Sequence, residues 1–191
     1  DHPSQEQFTP DAMFRLADLY LDVADEALDL ADPSAEPIAD YSKSLALWEQ
    51  IVQRFPAYRQ MPSVLYLLAY YGKTKDERRS MVLFLALTCA NRFKWDDVPS
   101  AVPTKEEALA RIDRKEQIDP YADCQPWQGA DVELVRHAWV RGLADYHFTV
   151  PGELDEAIGS YNKVVVGGKD SPLYAEALYK LAWSYYKRDF L

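Results

Sequence analysis

A thirty-residue segment occurs twice in this chain without a gap, and nothing else in the sequence restricts its fold as tightly. YSKSLALWEQIVQRFPAYRQMPSVLYLLAY, from Tyr41 to Tyr70, aligns with LDEAIGSYNKVVVGGKDSPLYAEALYKLAW, from Leu154 to Trp183, 113 residues further on. Val52/Val165, Leu65/Leu178, Tyr66/Tyr179, Leu68/Leu181 and Ala69/Ala182 are identical, while Ser44/Ala157, Leu45/Ile158, Trp48/Tyr161 and Ile51/Val164 keep size or apolar character. The pattern is helix, turn, helix. The offset is a multiple of roughly 34 to 38 residues, the signature of a helical array in which no unit buries its apolar face until a neighbour stacks on it. Function is then expected on a surface of stacked helices rather than in a catalytic pocket.

Composition narrows the function classes. Hydrophobic residues make up 48% of the 191 positions and aromatics 13%, ample for a real core and unlike a disordered tail. Asp and Glu total 31 against 21 Lys and Arg, a formal charge of -10, so nucleic acid is not an expected partner, because phosphate binding needs a basic face. No apolar run approaches the roughly 20 residues that span a bilayer, so direct membrane insertion is not expected. The opening DHPSQEQFTP does not read as a secretory leader, and removal of an earlier leader stays open.

Helix starts are marked by capping chemistry. Thr9-Pro10 and Ser171-Pro172 each offer a hydroxyl at the N-cap and a proline in the first turn. Thr104 with Glu107 reads as a capping box, and Asp131 as the cap of the helix beginning DVELVRHAW. Eight helices are expected, at about 10–31, 38–54, 61–73, 76–91, 105–115, 131–148, 153–166 and 172–190. No segment shows strand alternation of useful length.

Leu-Ala pairs recur inside this frame: Leu16-Ala17 with Tyr20, Leu68-Ala69, Leu143-Ala144 with His147, and Leu181-Ala182 with Tyr185. On the partnering helices Ser44, Trp48, Ile51 and Pro56 are spaced as a small residue, an aromatic four later, a core residue three later and a closing proline. Ala157, Tyr161 and Val164 repeat this without the proline, since Lys169 stands there. A small side chain lets two helices cross closely, and the aromatic fills the hole beside it. In these residues the chain resembles a tetratricopeptide repeat protein. The resemblance implies an all-α, right-handed α-solenoid of helical hairpins with one insertion. Its units lie at about 9–56, 60–91 and 131–168, with a half unit at 171–191 and the insertion at 92–130.

From Ser44 to Ala69, and again from Ala157 to Ala182, is 25 residues, three more than the family's usual spacing. That longer loop resembles bacterial cell-envelope members, of the outer-membrane assembly lipoprotein, Tol-Pal coordinator, and gliding or pilus accessory types. The first unit departs from the pattern through an extended first helix, LDVADEALDLAD.

The insertion carries Pro99, Pro103, Pro120 and Pro126 together with Trp95, Trp127 and Cys124, too aromatic for a free linker and too broken for a long helix. It serves either as a partner site or as a cap on the interrupted core. Cys89 and Cys124 are either bridged, which would imply an oxidising compartment such as the periplasm, or one buried and one loop thiol. Their spacing is not that of zinc or redox chemistry.

Catalysis finds little support. His137 and His147 share a predicted helix without an HExxH spacing, and His147 falls at a core position. The acidic runs DVADEALDLAD and KWDD lack a calcium-loop pattern. There is no Gly-rich phosphate loop and no nucleophile elbow, and Gly167-Gly168 reads as a helix stop. No cofactor and no metal site are expected.

What the resemblance implies for binding is a concave groove lined by the first helices of the units. Carried over residue by residue, its lining is Phe14, Asp18 and Leu21; Tyr66, Tyr70 and Lys73; Arg141, Asp145 and Phe148; and Tyr179, Trp183 and Tyr186. Such aromatics suit capture of a peptide or partner protein, a few charges fixing its polarity. The Lys/Asn pattern that clamps a terminal carboxylate in chaperone-binding relatives is absent. The last helix, YAEALYKLAWSYYKRDFL, is apolar around much of its circumference, where a terminal helix normally needs a polar outer face. We expect either a chain that continues past Leu191 or docking through Leu178, Tyr185 and Phe190. The expected function is a non-enzymatic scaffold or adaptor in a bacterial envelope assembly, periplasmic with a cytoplasmic alternative. Two other readings remain, a self-associating module pairing through its last helix and a helical-repeat hydrolase or lyase using His137.

Overall fold

Apolar spacings of three and four are realised as helix throughout the computed structural model, which describes residues 8–31, 34, 38–92 and 119–190. The described elements are α1 (Thr9–Asp29), α2 (Ser42–Arg54), α3 (Met61–Gly72), α4 (Glu77–Thr88), α5 (132–149), α6 (Leu154–Val165) and α7 (Tyr174–Phe190). No strand occurs among the described residues. The chain is all-helical. The helix expected over 105–115 lies outside the described residues.

Local chemistry explains the starts. The Asp131 carboxylate accepts from the Leu134 N–H at 3.0 Å and so caps α5, while Asp76 accepts from the Arg79 N–H at 2.9 Å and caps α4. Thr9 is not the cap of α1. Phe8 holds that position without a side-chain cap bond, and Pro10 sits in the first turn, where a missing N–H loses no helix bond. Ser171 accepts from the Leu173 N–H at 3.2 Å and donates to Glu133 at 3.0 Å, so it begins the turn that leads into α7 and ties it to α5.

Side-chain bonds fix the packing directions. Tyr41, just before α2, donates to Asp25 near the end of α1, and Tyr58, beyond α2, donates to Asp11 at the start of α1, so α1 and α2 are antiparallel. Arg136 near the start of α5 reaches Gly167 beyond α6, while Asp145 near the end of α5 accepts from Tyr161 of α6. Arg188 at the end of α7 meets Asp155 at the start of α6. Each helix packs on its neighbours in the chain, and one buried core runs from Ala17 to Leu181.

Small residues mark the crossings. Ala17, Ala69 and Ala144 are fully buried, and the hydroxyls of Ser44 and Ser80 donate to the Ala17 and Ala69 carbonyls at 2.8 and 2.5 Å. Behind Ser44 come Trp48 and Ile51, and behind Ser80 come Phe84 and Leu87, all buried. The α4 series thus repeats the α2 spacing, although the sequence reading identified it only in α2 and α6. Within α5 the stretch Ala138–Ala144 is π-helical, with the Asp145 N–H reaching back to the Val140 carbonyl. Gly142 of this stretch lies against Phe84, where an added Cβ would stand 2.4 Å from the ring.

The last stretch of the insertion, 119–130, is bound to the end of α4. Cys89 and Cys124 form a disulfide with Cα atoms 4.5 Å apart. Beside it the Trp127 N–H donates to the Leu87 carbonyl and the Ala90 N–H to the Gln125 carbonyl, each at 2.8 Å. Arg92 donates to the Pro120 carbonyl and pairs with Asp123, and the Tyr121 ring is fully buried.

Candidate functional site

The odd-numbered helices α3, α5 and α7 run parallel and side by side. Tyr66 of α3 meets His137 of α5 edge-on at 6.4 Å, and Glu133, Arg141 and Asp145 of α5 meet, in the same order, Ser171 just before α7 and Glu176 and Lys180 within it. Where they adjoin, a depression of about 480 Å³ is lined by Tyr41, Tyr70, Tyr71, Lys73, Thr74, Phe84, Arg141, Asp145 and Glu176. Four residues expected in the groove, Tyr70, Lys73, Arg141 and Asp145, are therefore brought together.

Its aromatic wall is built by mutual ring contact. Tyr71 lies 4.7 Å from Tyr41, 5.1 Å from Tyr70 and 5.9 Å from Trp48, and Tyr70 stacks on Tyr66 at 5.9 Å. Such contacts hold the rings without further ordering when a ligand arrives. Burial pushes the Tyr66 and Tyr71 hydroxyls above the ordinary phenol range, so they remain neutral donors.

The polar wall is a row of four linked charges, Arg141, Glu176, Lys180 and Asp145. Arg141 donates to Glu176 at 3.0 Å, and Lys180 donates to Glu176 at 3.0 Å and to both Asp145 oxygens at 2.8 and 2.9 Å. The bond to Glu176 raises the Arg141 pKa. Burial alone would raise Glu176, but the hydrogen bonds from Lys180 and Arg141 outweigh it and hold the carboxyl below its usual range. Burial likewise opposes, and the bonds to Asp145 and Glu176 exceed, so Lys180 is raised. The row is electrically balanced, and the Arg141 side chain stays 49% exposed with Nη2 bound to Glu176. A guanidinium fork with donors to spare beside the exposed Tyr70 ring is chemistry for a carbonyl or carboxylate next to an apolar group.

The remaining expected groove residues sit elsewhere. Tyr179, Trp183 and Tyr186 form an exposed ladder on α7 that continues to Phe190, with centroid separations of 6.4, 5.5 and 4.9 Å. Phe148 is half-buried, with the Lys187 ammonium 4.1 Å over its ring. Phe14, Asp18 and Leu21 lie half-buried on α1, where Phe14 packs on Tyr58 and burial raises the Asp18 pKa. Tyr66 is half-buried behind Tyr70, on which it stacks, and is not part of the lining itself. The sequence reading missed Tyr41, Tyr71, Thr74, Phe84 and Glu176. Only Glu176 carried a signal, its spacing of four from Lys180.

Away from the depression, Tyr121 donates to His147 Nε2 at 2.6 Å, and His147 Nδ1–H donates to Glu153 at 2.8 Å. The order has the look of a proton relay, yet Tyr121 and His147 are both fully buried. Among the described residues no helix is long and apolar enough to cross a membrane. No family model matches this chain, and neither comparison with curated proteins nor comparison with solved structures gives a match.

Proposed function

We propose that the chain is a tetratricopeptide-like, right-handed α-solenoid and acts as a non-enzymatic scaffold or adaptor. It holds a peptide, or a segment of a partner protein, against the depression between α3, α5 and α7. The observation that carries this is the convergence of Tyr70, Lys73, Arg141, Asp145 and Glu176 on one surface from three helices. The exposed Tyr70 ring, backed by Tyr41 and Tyr71, supplies contact area at small entropic cost, and the Arg141 fork gives the bound segment a direction.

Two features support the rest of the reading. The one relay-like constellation among the described residues, Tyr121–His147–Glu153, is sealed from solvent at Tyr121 and His147, so no substrate meets it. The Cys89–Cys124 disulfide fits an oxidising compartment and so supports the reading of a periplasmic complex.

Peptides selected from a displayed random library on the native chain test the site. Binding of the selected peptides is expected to weaken at least about tenfold on Tyr70→Ala, with helical circular dichroism unchanged. Equal binding by both proteins would remove the depression as the site.

A further inference from the structure

Both carboxylates that line the depression between α3, α5 and α7 are already engaged at every oxygen. Asp145 accepts from Lys180 at both oxygens and from Tyr161 at one, and Glu176 accepts from Lys180 at one oxygen and from Arg141 at the other. The donors are not engaged. The Lys73 ammonium, the Tyr70, Tyr71 and Thr74 hydroxyls, and Nη1 and Nε of Arg141 make no hydrogen bond among the described residues. The depression is therefore rich in donors and short of acceptors.

This imbalance has a location and a charge. Every open donor lies on α3, on the turn after it, or on α5, and those helices already carry packed neighbours, α2 and α4 on α3, and α4 and α6 on α5. None belongs to α7, the last helix described. Arg141 is paired with Glu176 and Lys180 with Asp145, which leaves the half-buried Lys73 as the cation of the lining without an acidic partner among the described residues. One uncompensated positive charge among several neutral donors is matched by one negative charge with several lone pairs. A carboxylate has that character, whereas a phosphate monoester brings close to two charges.

We infer that the depression selects a segment carrying an Asp or Glu side chain, its carboxylate between Lys73 and Arg141 and an adjoining apolar residue on the Tyr70 ring. The inference rests on the depression being the binding site proposed above, and it names what that site reads. Tyr70 is 49% exposed and available to an apolar neighbour, and burial keeps the Tyr71 hydroxyl a neutral donor. Three parallel helices lie side by side here, so a segment crossing them offers side chains rather than its end. The formal charge of -10 adds selectivity: an acidic segment is repelled by the molecule as a whole and held only where these donors converge.

Peptides panned from a random library on the intact chain, then synthesised with a fluorescein label and with free or amidated ends, are the probes. The selected pool is expected to be enriched in Asp or Glu beside an apolar residue. Replacing that acid by Asn or Gln is expected to weaken binding about tenfold in an anisotropy titration. Lys73→Gln in the protein, with helical circular dichroism unchanged, is expected to weaken it by a similar factor. The two losses are expected to overlap rather than multiply, because both remove the same pairing. Peptides that lose affinity on Tyr70→Ala yet ignore the amide replacement overturn the inference and leave the depression as a site. Binding lost on amidation of the peptide end overturns it too, since a terminal carboxylate is then the group read. Absence of binding peptides, or binding indifferent to Tyr70→Ala, overturns the reading of the depression and this inference with it.

Discussion

Tyr121 Oη lies 2.6 Å from His147 Nε2 across a separation of 26 residues, joining the insertion to the interior of the α5–α6 hairpin. Glu153 accepts from the other ring nitrogen, so the imidazole is held in one tautomer. Burial, and after it the charges of Glu156 and Glu153, pushes the Tyr121 hydroxyl well above its ordinary range and keeps it a donor. Tyr121→Phe removes the hydroxyl and leaves a buried acceptor without its partner. Stability is expected to fall by about 1–3 kcal/mol, measured by urea denaturation.

The disulfide closes a loop with a sequence separation of 35. Constraint of the unfolded chain by a loop of that size stabilises by about 3–4 kcal/mol in the chain-entropy model. Denaturation with and without reductant is expected to differ by up to about that amount. A Cys124→Ser variant is expected to show no reductant dependence.

Two helical glycines respond in opposite ways to alanine. At Gly142 the new Cβ would stand 2.4 Å from the Phe84 ring, so Gly142→Ala is expected to destabilise by about 1–3 kcal/mol. At Gly72 the nearest atom, on Leu45, is 3.9 Å away, an ordinary contact. Gly72→Ala is expected to be neutral or to stabilise by about 0.5–1 kcal/mol through reduced unfolded-state entropy. Melting temperatures of the two variants separate the effects.

Alkaline pH is expected to loosen the α1–α2 hairpin. The hydrogen bond to Asp25, with burial second, raises the Tyr41 hydroxyl from 10.0 to about 12. A phenol with a raised folded pKa stabilises the fold fully below about pH 10, its unfolded value, and that contribution is lost as pH rises through about 12. Stability measured from pH 9 to 12 is expected to decline less steeply for Tyr41→Phe than for the native chain. Parallel curves would show that Tyr41 does not take part.

Helix was legible because apolar spacing and caps are local. Asp131 caps α5 through its own third neighbour, and Ser44, Trp48 and Ile51 share one buried face by helical geometry alone. Thr9 failed as a cap because a hydroxyl beside proline does not decide which backbone N–H groups stay unpaired; Phe8 took the position. Of the groove residues, Tyr70, Lys73, Arg141 and Asp145 converge, while the ladder on α7 and the α1 group stand apart. Spacing from a Leu-Ala pair fixes the side of a helix but not what lies opposite it.

The sequence by itself determined that the chain is helical, where most helices start, and which small residues allow helices to cross, since all of these follow from contacts within a few residues. Tertiary structure alone decided the rest. It joined Cys89 to Cys124, carried Tyr121 to His147, and linked Arg141, Glu176, Lys180 and Asp145 into one row. The reason is physical: those relationships depend on how rigid helices stack through space, and a stacking distance is not encoded in the spacing of residues along any one helix.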